Sequence, residues 1–324
     1  MKAILCQAFG APDSLNYAEI DSPSVRKGEV KIAVKACGVN FPDVLMVQGL
    51  YQVKPPFPFS PGLEVAGDII DVGEGLTDFK PGDRVMAGLN YGGFAEEVCA
   101  PAGMIFPMPD NMSYEDGAAF TLVYGTSHIA LDHRAKLQSG ETLLILGAAG
   151  GVGLTAVELG KLMGATVIAA ASTEEKLALT RQYGADYTIN YLEEDLRERV
   201  KEITEGRYAD VIYDPVGGDA FDTAVRCMGV ESRYLVIGFA SGRIPELAIN
   251  RLLLKNSSLV GAYWGGYAFT RPHVIQKSSQ TLLTWYAEGK LRPHIDCTFP
   301  LEQVARALNY IANRQAKGKI VLTT

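Results

Sequence analysis

No apolar run in this 324-residue sequence approaches the roughly 20 residues that cross a bilayer, so no membrane segment is expected. Cysteine is scarce: the five residues are scattered and form no even-numbered framework of the kind that staples small secreted domains. The opening residues, MKAILCQAFGAPDSLNY, contain neither a long apolar core nor a small-residue cleavage site, so nothing there marks a secretory signal. These absences predict a soluble protein of a reducing cytoplasm. Clustered basic residues are lacking too, and a net charge of −7 argues against nucleic-acid binding, which needs grouped Lys and Arg. Any anion site has to be local.

Two domains are expected, at about 100–200 residues per domain. Through about Pro109 the chain carries short β-type runs, such as residues 30–39 and 64–73, broken by Pro and Gly. From Tyr124 to Tyr263 the apolar runs TLLILG, TVIAAAS, DVIYDPV, YLVIGF and SLVGAY alternate with amphipathic stretches, the pattern of a parallel, doubly wound sheet. After Trp264 a helical stretch runs through Lys290, and the final GKIVLTT is expected to return to the first domain. The expectation is an α/β chain with a β-rich domain in residues 1–123 and 264–324 and a Rossmann domain in residues 124–263.

The stretch Gly147-Ala148-Ala149-Gly150-Gly151-Val152-Gly153 follows one of these strands and opens a helix. In that setting a glycine run reads as a dinucleotide site. A pyrophosphate at a helix N-terminus needs bare backbone, which Gly150 and Gly151 provide, while Gly153 lets helix and strand pack closely. NAD-binding domains carry an acidic residue about 20 positions further on, to hold the ribose 2′-hydroxyl. Here the next strand runs into Ala171-Ser172-Thr173 and the acid is missing. NADPH is therefore the expected cofactor, with Ser172 and Lys176 holding its 2′-phosphate and Tyr191 lying over the adenosine. Helix capping by Ser172 or Thr173, an exposed helix lysine and a surface aromatic are the competing readings.

In order along the chain, Ala36-Cys37-Gly38-Val39-Asn40-Phe41-Pro42-Asp43, Pro61-Gly62-Leu63-Glu64-Val65-Ala66-Gly67, Gly82-Asp83-Arg84-Val85, the glycine loop and Gly318-Lys319-Ile320-Val321-Leu322 resemble the medium-chain dehydrogenase/reductase superfamily, and within it the quinone oxidoreductase family. The resemblance covers nearly the whole chain and implies a GroES-like catalytic domain beside the Rossmann domain. The superfamily's zinc enzymes place a Cys-His pair where this chain has Asn40-Phe41, and a His where it has Leu63; neither Asn40 nor Leu63 is a zinc donor. No metal is expected.

Without a Lewis acid the substrate must already be electrophilic, as a quinone or an α,β-unsaturated carbonyl is. Asn40 and Tyr51 are the candidates for the hydrogen bond or proton that the developing oxyanion needs, Tyr51 because its loop resembles the one carrying the proton-donating tyrosine of enoyl thioester reductases. The resemblance also places Asn40, Thr126, Val152, Phe239 and Lys319 beside the cofactor and implies a homodimer paired through SLVGAY. The expected function is an NADPH:quinone reductase. An enoyl or enone reductase, acting on an acyl-CoA among other substrates, and a non-enzymatic NADPH-binding protein are the alternatives.

Overall fold

The structure, a computed structural model, describes residues 1–324, the side chain of Phe269 excepted. The chain forms two compact units, residues 1–122 with 265–324, and residues 123–264.

The first unit begins with a hairpin of β1 (Lys2–Leu5) and β2 (Asn16–Glu19). Its main sheet contains β3 (Glu29–Val39), β4 (Glu64–Val72), β5 (Arg84–Gly88), β6 (Glu97–Pro101) and β7 (Ile105–Pro107). The central strand β3 changes character along its length. Val30, Ile32 and Val34 are buried in alternation with more exposed neighbours, whereas Ala36 to Val39 are all buried. The first half follows the period of two of a half-covered strand, and the second half is covered on both faces. Helix α1 (Phe41–Val47) follows directly, with Asn40 at its N-cap and Pro42 in its first turn, where proline's missing N–H is harmless. Helix α2 (Tyr114–Ala118) is capped by Ser113, whose hydroxyl accepts the Asp116 N–H.

Helix α3 (Thr121–His128) leads into the second unit, where β8 (Thr142–Ile145), β9 (Thr166–Ala171), β10 (Tyr187–Asn190), β11 (Ala209–Asp214), β12 (Met228–Val236) and β13 (Ser258–Gly261) form one parallel sheet in the order β10-β9-β8-β11-β12-β13. The crossovers carry α4 (Gly151–Leu162), α5 (Glu174–Gln182), α6 (Leu196–Ile203), α7 (Gly218–Ala224) and the short α8 (Asn250–Leu253). Leu144, Ile168, Ile189, Ile212 and Tyr234 share one core with Leu196 and Val200 of α6 and Phe221 and Ala224 of α7. Strand order reverses between β8 and β11, and in such sheets ligands collect at the carboxyl ends beside that reversal.

After α9 (Trp264–Thr270) and α10 (Pro272–Ala287) the chain completes the first unit with β14 (Ile295–Pro300), α11 (Val304–Ala312) and β15 (Lys319–Thr323). Strand β15 pairs with β3 in antiparallel register, Ile320 opposite Val39 and Leu322 opposite Cys37. The last strand thereby delivers Lys319 to the junction of β3 and α1.

Candidate active site

The predicted site residues divide between the units. In the second unit the carboxyl ends of the strands bring most of them together. The loop after β8 is anchored to β9 by the Ala148 N–H donating to Ala170 O at 3.1 Å, and the N–H of Tyr191 donates to Ala171 O at 3.2 Å. The glycine loop, Ser172 and Tyr191 are thus on adjoining strand ends. Thr173 caps α5, its hydroxyl accepting the Lys176 N–H at 3.3 Å, so Ser172 is not the cap. Tyr191 is 46% exposed, as a residue offered to a ligand would be.

The three key glycines of the loop are required for different reasons. Gly147 has φ +55°, a conformation L side chains resist. A Cβ on Gly153 would stand 2.2 Å from Gly147 O, so that glycine serves the contact of α4 with its own loop. Gly150, the N-cap of α4 with φ −80° and ψ 174°, needs neither: its Cβ would meet nothing nearer than Gly147 O at 3.4 Å. The protein alone does not demand glycine there. A ligand approaching the backbone and the first-turn N–H groups of α4 would, and that cradle fits the pyrophosphate of a dinucleotide.

Below the loop lies a hydroxyl network that sequence reasoning missed. Ser127 Oγ donates to Val152 O at 3.0 Å and lies 2.8 Å from both Thr155 Oγ1 and Tyr213 Oη. It ties α3, and with it Thr126, to the start of α4, where Val152 sits. Asp214, at the end of β11, accepts the N–H groups of Val216 and Gly217 and the hydroxyl of Tyr234, which sets the loop across the strand reversal. Phe239 stands over that loop: a Cβ on Gly217 would meet its ring at 2.9 Å.

In the first unit Asn40 and Lys319 meet in a buried polar cluster. Lys319 Nζ donates to Val39 O at 3.0 Å, Asn40 Oδ1 at 2.7 Å and Glu64 Oε1 at 2.7 Å. Those three acceptors match the three hydrogens of an ammonium. Glu64 Oε1 also accepts from Asn40 Nδ2 at 2.8 Å, and Oε2 accepts the Leu122 N–H at 2.9 Å. Glu64 is 0% and Lys319 4% exposed. Gly38 clears the space: a Cβ there would stand 2.4 Å from Glu64 Oε1. Lys319 was expected beside the cofactor; its ammonium here is occupied within the first unit. Glu64 carries its own sequence signal, a carboxylate opening the apolar run EVAG.

Asp43 completes the cluster, taking the Asn40 N–H on Oδ2 at 2.8 Å. Burial pushes its carboxyl up to about 7, against the opposing pull of that N–H and of the Lys319 ammonium. The unfolded carboxyl ionises near 3.8, so folding is favoured while Asp43 is protonated in both states, and that contribution is lost as pH rises through about 7. Melting temperature followed from about pH 4 to 8 is expected to fall less steeply in Asp43→Asn than in the native chain. Parallel curves would show that Asp43 titrates normally.

Tyr51 belongs to the first unit as well and packs against Cys6, Met46, Phe59 and Leu63. Phe59 continues into a row of rings: Phe9 to Phe57 at 4.7 Å, Phe57 to Phe59 at 5.6 Å and Phe59 to Tyr91 at 6.3 Å between centroids. Phe9, Phe57 and Tyr91 are exposed.

Residues 26–110 match the family described as alcohol dehydrogenase GroES-like domain, and residues 151–284 that described as zinc-binding dehydrogenase. Quinone oxidoreductase-like protein 2 homolog of Nematostella vectensis is 38% identical over 100% of this chain and 89% of its own length. Quinone oxidoreductase of Pseudomonas aeruginosa is 34% identical over 99% of each. The crystal structure of Escherichia coli quinone oxidoreductase, complexed with NADPH, is similar with a TM-score of 0.93 at 29% identity over 100% of both chains.

The zinc in one of those family descriptions does not suit the residues at the cluster. Zinc takes thiolate, imidazole or carboxylate donors, usually three with an open position in a catalytic site. Cys37 is buried, its thiol pushed up by burial and donating to Gly93 O at 2.8 Å. Glu64 is satisfied by a cation and two N–H donors, and position 63 is leucine. Among the described residues no group of three or more His, Cys, Asp and Glu is arranged to hold a metal ion. With its motifs in order, both family domains present and relatives matched over 89% and 99% of their own length, the chain belongs to the quinone oxidoreductase family of the medium-chain dehydrogenase/reductase superfamily.

Proposed function

We propose that this chain is an NADPH-dependent reductase that passes a hydride to a quinone without zinc. The cluster of Asn40, Glu64 and Lys319 carries the reading. A buried ammonium, fully hydrogen-bonded, faces the carboxylate, so the site offers no open Lewis acid and favours acceptors that are electrophilic by themselves. NADPH, when bound, supplies the hydride. The backbone of Gly147, Ala149, Gly150, Gly151, Val152 and Gly153 would hold its pyrophosphate, and Ser172, Lys176 and Tyr191 its 2′-phosphate end. Thr126 and Phe239 would be further contacts.

Hydride arriving at a quinone carbon leaves negative charge on oxygen. Asn40 meets that charge with an amide N–H, and Tyr51 supplies the proton that completes the reduction. The aromatic row beside Tyr51 favours flat, apolar acceptors over an acyl-CoA, whose phosphates call for a basic cluster. The purified protein is expected to oxidise NADPH in preference to NADH with quinones as acceptors, followed at the NADPH absorbance band. Tyr51→Phe is expected to lower kcat about 10²-fold or more. Preference for NADH, or turnover confined to enoyl-CoA, would overturn the reading, and unaltered kcat in Tyr51→Phe would remove the proton donor.

The chain is also proposed to form a homodimer. Strand β13 is the edge of the parallel sheet, paired among the described residues only with β12, and Leu259 on it is 38% exposed. An apolar edge of this kind invites another strand unless covered, and a second copy pairing along β13 covers it. Sedimentation velocity is expected to give twice the chain mass in the native protein and the single mass in Leu259→Lys; a native monomer would refute the dimer.

A further inference from the structure

Asn40 lies between the two halves of a buried ion pair, and its amide is oriented by both. Its Oδ1 faces an ammonium and its Nδ2 faces a carboxylate, so flipping the group would set oxygen against Glu64 and nitrogen against Lys319. One Nδ2 hydrogen is taken by Glu64; the other has only a long approach of 3.4 Å to Gly38 O. Asn40 keeps a small exposure of 7%, whereas Glu64 is wholly covered. The ion pair is tied to the scaffold on every side: Lys319 to Val39 O on β3, Glu64 to the Leu122 N–H at the start of α3.

We propose that Lys319 is a positioning residue, its buried ammonium fixing the Asn40 amide in one orientation and polarising it as a hydrogen-bond donor. The proposal rests on the quinone reductase reading for its catalytic consequence, but the orientation of the amide stands independently of it. An amide oxygen that accepts from a cation withdraws electron density from its own nitrogen. In a medium of low dielectric the remaining N–H becomes a stronger donor to an oxygen acquiring charge. Lys319 thus places positive charge behind Asn40 while Glu64 keeps that charge from needing water. A donor of this kind is effective because its orientation is set before reaction, and displacement by about 1 Å costs on the order of 10²-fold in rate.

The test replaces the ion pair by a neutral pair, Lys319→Met with Glu64→Gln, so that no charge is left stranded. Two readouts are taken. Hydrogen exchange of the Asn40 side-chain amide, by NMR of protein labelled with 15N-asparagine, needs no substrate; kcat, KM and NADPH affinity are measured with a quinone. The expected result is faster exchange at Asn40 and a kcat about 10²-fold lower, with NADPH affinity and melting temperature close to native. Native amide protection, or a kcat within about twofold of native, overturns the proposal. If the native protein reduces no acceptor the function reading fails, and the exchange measurement alone decides the orientation. Should the double variant not fold, Glu64→Gln alone leaves the ammonium without its counter-charge. The Asn40 amide, having lost the carboxylate that accepts from Nδ2, is then expected to exchange faster and kcat to fall, and native values of both overturn the proposal.

Discussion

Lys319→Met is expected to destabilise the first unit by about 3–5 kcal/mol, the usual cost of removing one partner from a buried pair. The loss does not come mainly from the attraction between Lys319 and Glu64. Desolvating two charges consumes most of that attraction, which is why well-packed apolar replacements of whole pairs are often neutral. It comes from Glu64, which at 0% exposure would be left with only Asn40 Nδ2 and the Leu122 N–H for compensation. Lys319→Met combined with Glu64→Gln is therefore expected to recover most of the stability. Because the chain forms two compact units, calorimetry or urea denaturation with a probe in each should show the first transition shifting while the second stays. A single-variant cost below about 1 kcal/mol would mean that water reaches Glu64 and that the pair behaves as an exposed one.

The same pair shows where reading the sequence stopped. The parallel sheet was legible because β8 and β9 are largely apolar runs of strand length and β11 carries Val211-Ile212-Tyr213 at its centre, and the glycine loop because it lies between a strand and a helix. The first part of β12 was not, since its middle residues Glu231, Ser232 and Arg233 look like a loop. Arg233 is tolerated in the strand because its guanidinium donates to both Glu141 oxygens, a partner from the residue before β8. Local capping was readable only as a choice between Ser172 and Thr173, which the backbone decides for Thr173. Lys319 and Glu64 are 255 residues apart, and nothing local in KIVL or EVAG says that one charge is there for the other. Ser127, Thr155 and Tyr213 are likewise ordinary residues until three elements converge. Patterns within one element were legible; pairings made by topology were not.

Gly150→Ala and Gly153→Ala are expected to part company, although both remove a glycine from one loop. At position 153 the added Cβ would stand 2.2 Å from Gly147 O and 2.9 Å from Ala148 Cα, backbone atoms that cannot rotate away. Helix α4 must shift off its loop, and a loss of about 3 kcal/mol or more is expected, visible as a lower melting temperature without any ligand. At position 150 φ is −80° and the new Cβ finds ordinary contact distance, so the substitution should cost less than about 1 kcal/mol, the scale of a weaker N-cap. The methyl group would instead occupy the space in front of the first-turn N–H groups of α4. NADPH binding, titrated by fluorescence, is expected to weaken by about tenfold or more in folded Gly150→Ala, a loss of about 1.4 kcal/mol for each factor of ten. Native NADPH affinity in Gly150→Ala would place the pyrophosphate elsewhere, and with it the reading of the loop. A native melting temperature in Gly153→Ala would show that α4 and its loop can separate, so that the close approach is not what requires glycine at 153.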